Sequence, residues 1–193
     1  MTVNSHDFRA VYDHLGIDLS SLGCVMLDIE PLPVRESLTE LPEDALYWSP
    51  DPKKFWIKGP VGQEGGHVTL LYGILKHLWR AAGDPSVYFQ AIEAVLADWE
   101  QPDELHLGAV LKWPDPAGGP STTLVSEVRL TPALMEAHQR LSLLPHIDTF
   151  LDYHPHVTLA YVLSEYADQA AEALDYGIGG LARATHLNYG HGA

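Results

Sequence analysis

A six-residue pattern occurs twice in this chain, as His67-Val68-Thr69-Leu70-Leu71-Tyr72 and as His156-Val157-Thr158-Leu159-Ala160-Tyr161. The copies agree at five of six positions and stand 89 residues apart. β-Branched valine and threonine in a short apolar run favour extended backbone, so each copy is expected to be a strand. Alternate residues of a strand share a face. That sets each histidine beside its threonine and turns the valine, leucine and tyrosine to the opposite, packed face, so Tyr72 and Tyr161 are expected in the core. Two such strands side by side would bring two His–Thr pairs together across one cleft.

This constellation has a chemical use. Imidazole titrates near neutral pH, so one histidine can take a proton from an attacking hydroxyl or water while the other gives one to a leaving oxygen. Threonine hydroxyls can donate hydrogen bonds to the non-bridging oxygens of a phosphodiester held between them. The reaction suggested is attack at phosphorus with in-line displacement, and it calls for neither metal nor cofactor. His154 and His156 lie two residues apart, but no carboxylate or third histidine is placed to complete a zinc or iron site with them.

Around the repeat, helix and strand signals are mixed. A helix over about 5–15 leads into a strand at Gly23–Glu30. Residues 31–52 carry five prolines and no sustained period, and read as an irregular insertion. Residues 53–58 alternate as a half-buried strand, which the turn Gly59–Gly66 joins to the first motif as a hairpin. That turn lacks the lysine-containing ending of a phosphate loop and leads into a strand, so it reads as a mobile loop beside the site. Val87, Ala91, Ala94, Val95 and Trp99 recur at helical spacing between Asp84-Pro85 and Pro102. Leu105–Trp113 and Thr122–Leu130 read as strands. Thr131-Pro132 opens a helix with Leu134, Ala137, Leu141 and Leu144 on one face. After the second motif come a helix over about 164–174 and a last strand over Ala182–Tyr189. The class is α+β, and no linker divides residues 1–193, which read as one domain.

If Phe55 and Ile57 pack inward, Lys54, Trp56 and Lys58 share a face that the hairpin either brings beside His67 and Thr69 or leaves to solvent. Trp56 can stack on a nucleobase, an interaction that contributes about 1–3 kcal/mol, and the lysines can meet phosphate charge. Arg129, alternating with Glu127 about Val128, is a further candidate phosphate contact. His106, between Leu105 and Leu107, faces either the cleft or solvent.

Composition narrows the partners. Twenty-six acidic residues against 11 basic ones give a formal net charge of −15. That disfavours long nucleic acid, whose binding rests on phosphate neutralisation, but leaves room for a small phosphate-bearing ligand in a local pocket. The single cysteine, Cys24, excludes an internal disulfide and a multi-cysteine zinc site. No run of apolar residues is long enough to span a membrane. The first residues lack the basic and apolar regions of a signal peptide, so a cytoplasmic, reducing location is expected. The oligomeric state is left open.

Two His-x-Thr motifs, each followed by leucine and the second preceded by Pro155, resemble those of the 2H phosphoesterase superfamily. That superfamily includes LigT-like RNA ligases and cyclic phosphodiesterases as well as cyclic-nucleotide phosphodiesterases. The resemblance covers roughly residues 23–189 in order of elements, and the two motifs are its specific part. It implies a bilobal α+β fold: two antiparallel sheet lobes with outer helices around a central cleft, and the motifs on neighbouring strands related by a pseudo-twofold. By the same resemblance His67 and His156 are the acid–base pair, and Thr69 and Thr158 hold phosphate. The expected function is a metal-independent phosphodiesterase that hydrolyses or transesterifies small nucleotide phosphodiesters: cyclic di- or oligonucleotide signals, 2′,3′-cyclic phosphates or 2′–5′ linkages. The alternatives are an RNA end-processing 2′–5′ ligase or cyclic phosphodiesterase, and a non-catalytic cyclic-nucleotide-binding protein. The proline-rich insertion and the acidity set this chain apart from compact members of the superfamily.

Overall fold

A computed structural model describes residues 22–47, 62, 65–76, 78, 86–115, 118–148 and 152–189. The helix expected over 5–15 and the strand over 53–58, with Lys54, Trp56 and Lys58, lie outside them. Six strands are present among the described residues: β1 (Gly23–Ile29), β2 (His67–Ile74), β3 (Glu104–Pro114), β4 (Ser121–Val128), β5 (His156–Leu163) and β6 (Leu181–Asn188). They pair antiparallel in the closed order β1-β2-β5-β4-β3-β6. The ring consists of two three-stranded sheets, β6-β1-β2 and β5-β4-β3, which meet along two thin seams. Between β2 and β5 the seam is the single pair Val68↔Val157. Between β3 and β6 it is the three pairs from Glu104↔Arg183 to His106↔Leu181.

Each sheet carries helices on one face. The helices are α1 (Val34–Ser37), α2 (Ser86–Val95), α3 (Pro132–Leu141) and α4 (Ala167–Gly177). α3 starts where the sequence predicts, with Pro132 in the first turn and the Thr131 hydroxyl accepting from the Leu134 N–H at 3.3 Å. Its buried stripe, Leu134, Ala137 and Leu141, packs on β2. α4 buries Ala167, Ala170, Ala171 and Leu174, side chains small enough to lie close on β3, β4 and β5. Asp175 accepts from the Val110 N–H at 3.0 Å, and Asp168 pairs with Lys112. Residues 164–166, expected in this helix, form a 3-10 turn before it. Val25, Leu27, Val68, Leu70, Leu124, Val157, Leu159 and Leu174 are fully buried between sheets and helices.

Both motif strands carry an irregularity at the same motif position. In the β1–β2 ladder Met26 stands opposite Thr69 and Val25 opposite Leu71, so Leu70 is extra. In the β4–β5 ladder Val125 stands opposite Thr158 and Leu124 opposite Ala160, so Leu159 is extra. An extra residue in one strand of an antiparallel pair is a β-bulge, and it reverses the alternation beyond it. Tyr72 and Tyr161 therefore come round to the face of the histidines and threonines and are half-buried, not in the core as strict alternation predicted. A bulge disturbs the ladder around its backbone groups, and here His138 of α3 donates from Nδ1 to the Leu70 carbonyl at 2.7 Å. The His138 ring is itself stacked on Tyr153 at 4.2 Å.

β2 and β5 part on either side of Val68↔Val157, which would leave two open edges. Each edge is covered by the segment that precedes the other strand. Ile74 pairs with His146, and Ile147 donates to the Gly73 carbonyl at 2.9 Å. Leu46 pairs with Val162, and Tyr47 donates to the Tyr161 carbonyl at 2.9 Å. The proline-rich segment is thus structured over 31–47: it contains α1, packed on α4, and a 3-10 turn at Glu43–Ala45. The glycine-rich turn is tied down where it is described, since Gly62 accepts from the Leu32 N–H at 3.0 Å and Gly66 from the Ile29 N–H at 2.9 Å.

Gly66 lies where β2 comes nearest to β5: a Cβ there would stand 2.8 Å from Val157 Cγ1. Gly66→Ala is expected to lower stability by about 1–3 kcal/mol through overpacking of this seam. Gly180→Ala, where an added Cβ meets nothing within 4 Å, is expected to cost nothing. Urea denaturation of the two variants checks the difference.

Candidate active site

The antiparallel register about Val68↔Val157 decides what faces what. Counting outward from that pair, His67 stands across from Thr158 and His156 across from Thr69. Each histidine therefore faces the other motif's threonine. The two valines are fully buried, whereas Thr69, His156 and Thr158 are half-buried and His67 is exposed. The four polar side chains thus share the face of the ring turned away from the helices.

Two carboxylates flank them. Asp28 of β1 is the cross-strand partner of His67, and Glu127 of β4 that of His156. Ile29 donates to the Gly66 carbonyl and Val128 to the Pro155 carbonyl, both at 2.9 Å. The pairs next to each histidine are therefore the hydrogen-bonded ones, and Asp28–His67 and Glu127–His156 fall at the alternate positions where side chains approach most closely. Asp28 is 22% exposed; its Oδ2 accepts from Asn188 Nδ2 at 3.1 Å and lies 3.3 Å from His186 Nε2. Glu127 is exposed.

Trp113, Thr123 and Tyr161 form one row across β3, β4 and β5. The Trp113 ring meets that of His156 edge-on, centroids 4.5 Å apart, which puts the row on the histidine face. His156 donates from Nδ1 to the His154 carbonyl at 2.9 Å. Neutral His156 therefore carries its lone pair on Nε2.

Both imidazoles are held below the ordinary histidine value. For His67, although its edge reaches solvent, crowding by protein strips hydration and is the main cause; Asp28 opposes it, and the charge of His156 adds to it. For His156, burial again comes first; the bond to the His154 carbonyl opposes it and the His154 charge adds to it. Since His67 feels His156, protonating one disfavours protonating the other, and the pair passes through a state holding a single proton. That state offers one acid and one base.

The two-lobed ring, with a His-x-Thr strand from each half at its seam, is the 2H phosphoesterase fold. Among solved structures, Usb1 of Kluyveromyces marxianus matches over 91% of this chain and 96% of its own at 10% identity, with a TM-score of 0.52. The same protein with uridine monophosphate matches over 90% and 95% at 12% identity, with a TM-score of 0.53. At such identity the likeness is one of fold. No protein-family model and no curated protein matches the chain.

Not every candidate is drawn into this group. Arg129 is exposed just beyond β4, its N–H donating to the His106 carbonyl at 2.8 Å. His106 is exposed at the β3–β6 seam, across the ring from the two motifs. His154 meets His156 through its backbone carbonyl, and no group of three metal-ligating side chains occurs among the described residues. Asp28, Trp113 and the turned-in tyrosines were missed by sequence reasoning. Asp28 is the sole charged residue of its strand, and Trp113 alternates with Lys112; both signals were available.

A histidine whose folded pKa lies below its unfolded value binds fewer protons when folded, so stability rises with pH between the two. Wild-type protein is expected to lose stability as pH falls below the ordinary value of 6.5. The double variant His67→Gln/His156→Gln should lose less. Urea denaturation at about pH 7.5 and about pH 5 checks this.

Proposed function

We propose that this chain is a phosphodiesterase acting on small nucleotide phosphodiesters, with His67 and His156 as its acid–base pair and Thr69 and Thr158 holding the non-bridging oxygens. The observation that carries this is the register about Val68↔Val157, which sets each histidine against the other motif's threonine. A phosphate between the strands would meet a hydroxyl and an imidazole from either side. One imidazole takes the proton of a ribose hydroxyl or water, the new P–O bond forms in line, and the other protonates the leaving oxygen. All the groups this requires are side chains of the chain itself, so activity is expected to survive excess EDTA.

The substrate is proposed to be a cyclic di- or oligonucleotide, a 2′,3′-cyclic phosphate or a 2′–5′ linkage. The likeness to a chain solved with uridine monophosphate supports a nucleotide at this face, and Trp113 and Tyr161 offer surfaces for a base. The net charge of −15 disfavours a long polyanion. The second reading, RNA end processing with cyclic-phosphate opening or 2′–5′ ligation, draws on the same likeness and needs oligoribonucleotides in the assay.

The test is a turnover panel of 2′,3′-cyclic mononucleotides, cyclic di- and trinucleotides, 2′–5′ and 3′–5′ dinucleotides and short RNA, in excess EDTA. His67→Ala and His156→Ala are each expected to lower kcat/KM by about 10²–10⁴-fold with unchanged unfolding curves. Near-native rates in either variant would overturn the two-histidine mechanism, and tight retention of one compound without turnover would make the chain a binding protein. With both imidazoles held below 6.5, the singly protonated pair peaks on the acid side of that value. The kcat/KM profile should be a bell with its maximum there.

A further inference from the structure

The two motifs are alike, but their surroundings are not, and the difference distinguishes the two histidines. Asp28 and Glu127 occupy equivalent places, each directly across from a histidine. Among the described residues only Asp28 is held: Asn188 and His186 of β6 both approach its Oδ2, and it is largely shielded from water. Glu127 is exposed, and the groups acting on His156 do not include it. Conversely, His156 has its Nδ1–H committed to a backbone carbonyl and the Trp113 ring against its own.

We propose that Asp28, held by Asn188, is a positioning residue for His67 that keeps it as the proton donor of the pair and leaves His156 as the proton acceptor. The assignment of roles rests on the function proposed above. In the reaction His156 Nε2 takes the proton of the attacking hydroxyl as its oxygen bonds to phosphorus. The bond to the leaving oxygen breaks, and His67 gives that oxygen its proton. His156 ends charged and His67 neutral, and exchange with solvent resets the pair. The charged or titratable groups on the histidine face of the described strands around His67 are Asp28 on β1, Tyr72 on β2, Glu127 on β4, His156 and Tyr161 on β5 and His186 on β6. Of the carboxylates, Asp28 is its direct cross-strand partner, and it acts on His67 in the direction that retains a proton.

The test has one arm that needs no substrate. Histidine resonances are followed by NMR across pH, with His67→Gln and His156→Gln identifying the two signals. Asp28→Asn is expected to move the His67 titration to lower pH and leave that of His156 in place or nearly so. Asp28→Glu should restore the His67 titration. Asn188→Ala, which frees the carboxylate, should shift it the same way by less, and it serves if Asp28→Asn does not fold. An unmoved His67 titration, or equal shifts in both histidines, overturns the proposal.

The second arm uses a nucleoside phosphodiester with 4-nitrophenolate as leaving group, which needs no proton to depart. His67→Ala should recover most of its lost rate on this substrate and His156→Ala should not; the reverse pattern overturns the roles. Asp28→Asn should draw the basic limb of the pH profile to lower pH, with a loss smaller than the ~10²–10⁴-fold of removing an acid–base group. Wild-type protein that cleaves no diester, with the His67 shift present, sinks the proposed function and leaves the Asp28 coupling standing. Turnover without that shift does the opposite.

Discussion

One backbone pair, Val68 with Val157, joins the two halves of the ring where the histidines lie, and the site depends on it. Both valines are fully buried. A slip of one residue in either strand would send a valine to the open face and a histidine or threonine into the core. Burial of two apolar side chains thus enforces the register that sets each imidazole against a hydroxyl. The seam is short because the strands diverge immediately. It holds because both diverging edges are covered, one by residues 145–147 and the other by Leu46 and Tyr47.

The symmetry of the backbone is closer than that of the side chains. Equivalent bulges, equivalent carboxylates and equivalent hydrogen bonds to the residue before each histidine, Gly66 or Pro155, recur in the two halves. Pro155 has no N–H to offer a ladder, and its place just before β5 costs little. Gly66 has no side chain because Val157 occupies the space. On this frame the chemistry departs from symmetry: an anchored carboxylate beside one imidazole, an indole edge and a fixed tautomer at the other. A symmetric frame brings two like groups together, and unlike neighbours let them do opposite things with a proton.

Much of this was readable from the residues. The repeat located both central strands, alternation in 105–113 and 122–130 located β3 and β4, and Thr131-Pro132 located the start of α3, because each is a local signal. The tyrosines were misplaced because alternation counts residues and takes no account of one that bulges out of the ladder. Asp28 was passed over because its meaning lies in its partner across the strand, 39 residues further along the chain. The proline-rich segment hid its short helix and its pairing with β5 because neither has a period long enough to register. Trp113 could have been weighed from its alternation with Lys112, but only the distance to His156 gives it a place in the site.

The paired bulges also bear on how such a motif can change over time. Because Leu70 and Leu159 each add a residue that the neighbouring strand does not match, the distance from histidine to tyrosine is a matter of residue count as much as residue type. Removing Leu159 would restore an even ladder against β4, since Thr158 and Ala160 already face consecutive residues, Val125 and Leu124. Tyr161 would then follow Thr158 by two and stay on the face of His156, and Val162 would stay buried. Substitutions that keep the count leave that geometry in place. The copies are therefore free to drift in sequence, as Leu71 and Ala160 already have, and the bulge of β5 is a residue its strand could lose with its two faces intact.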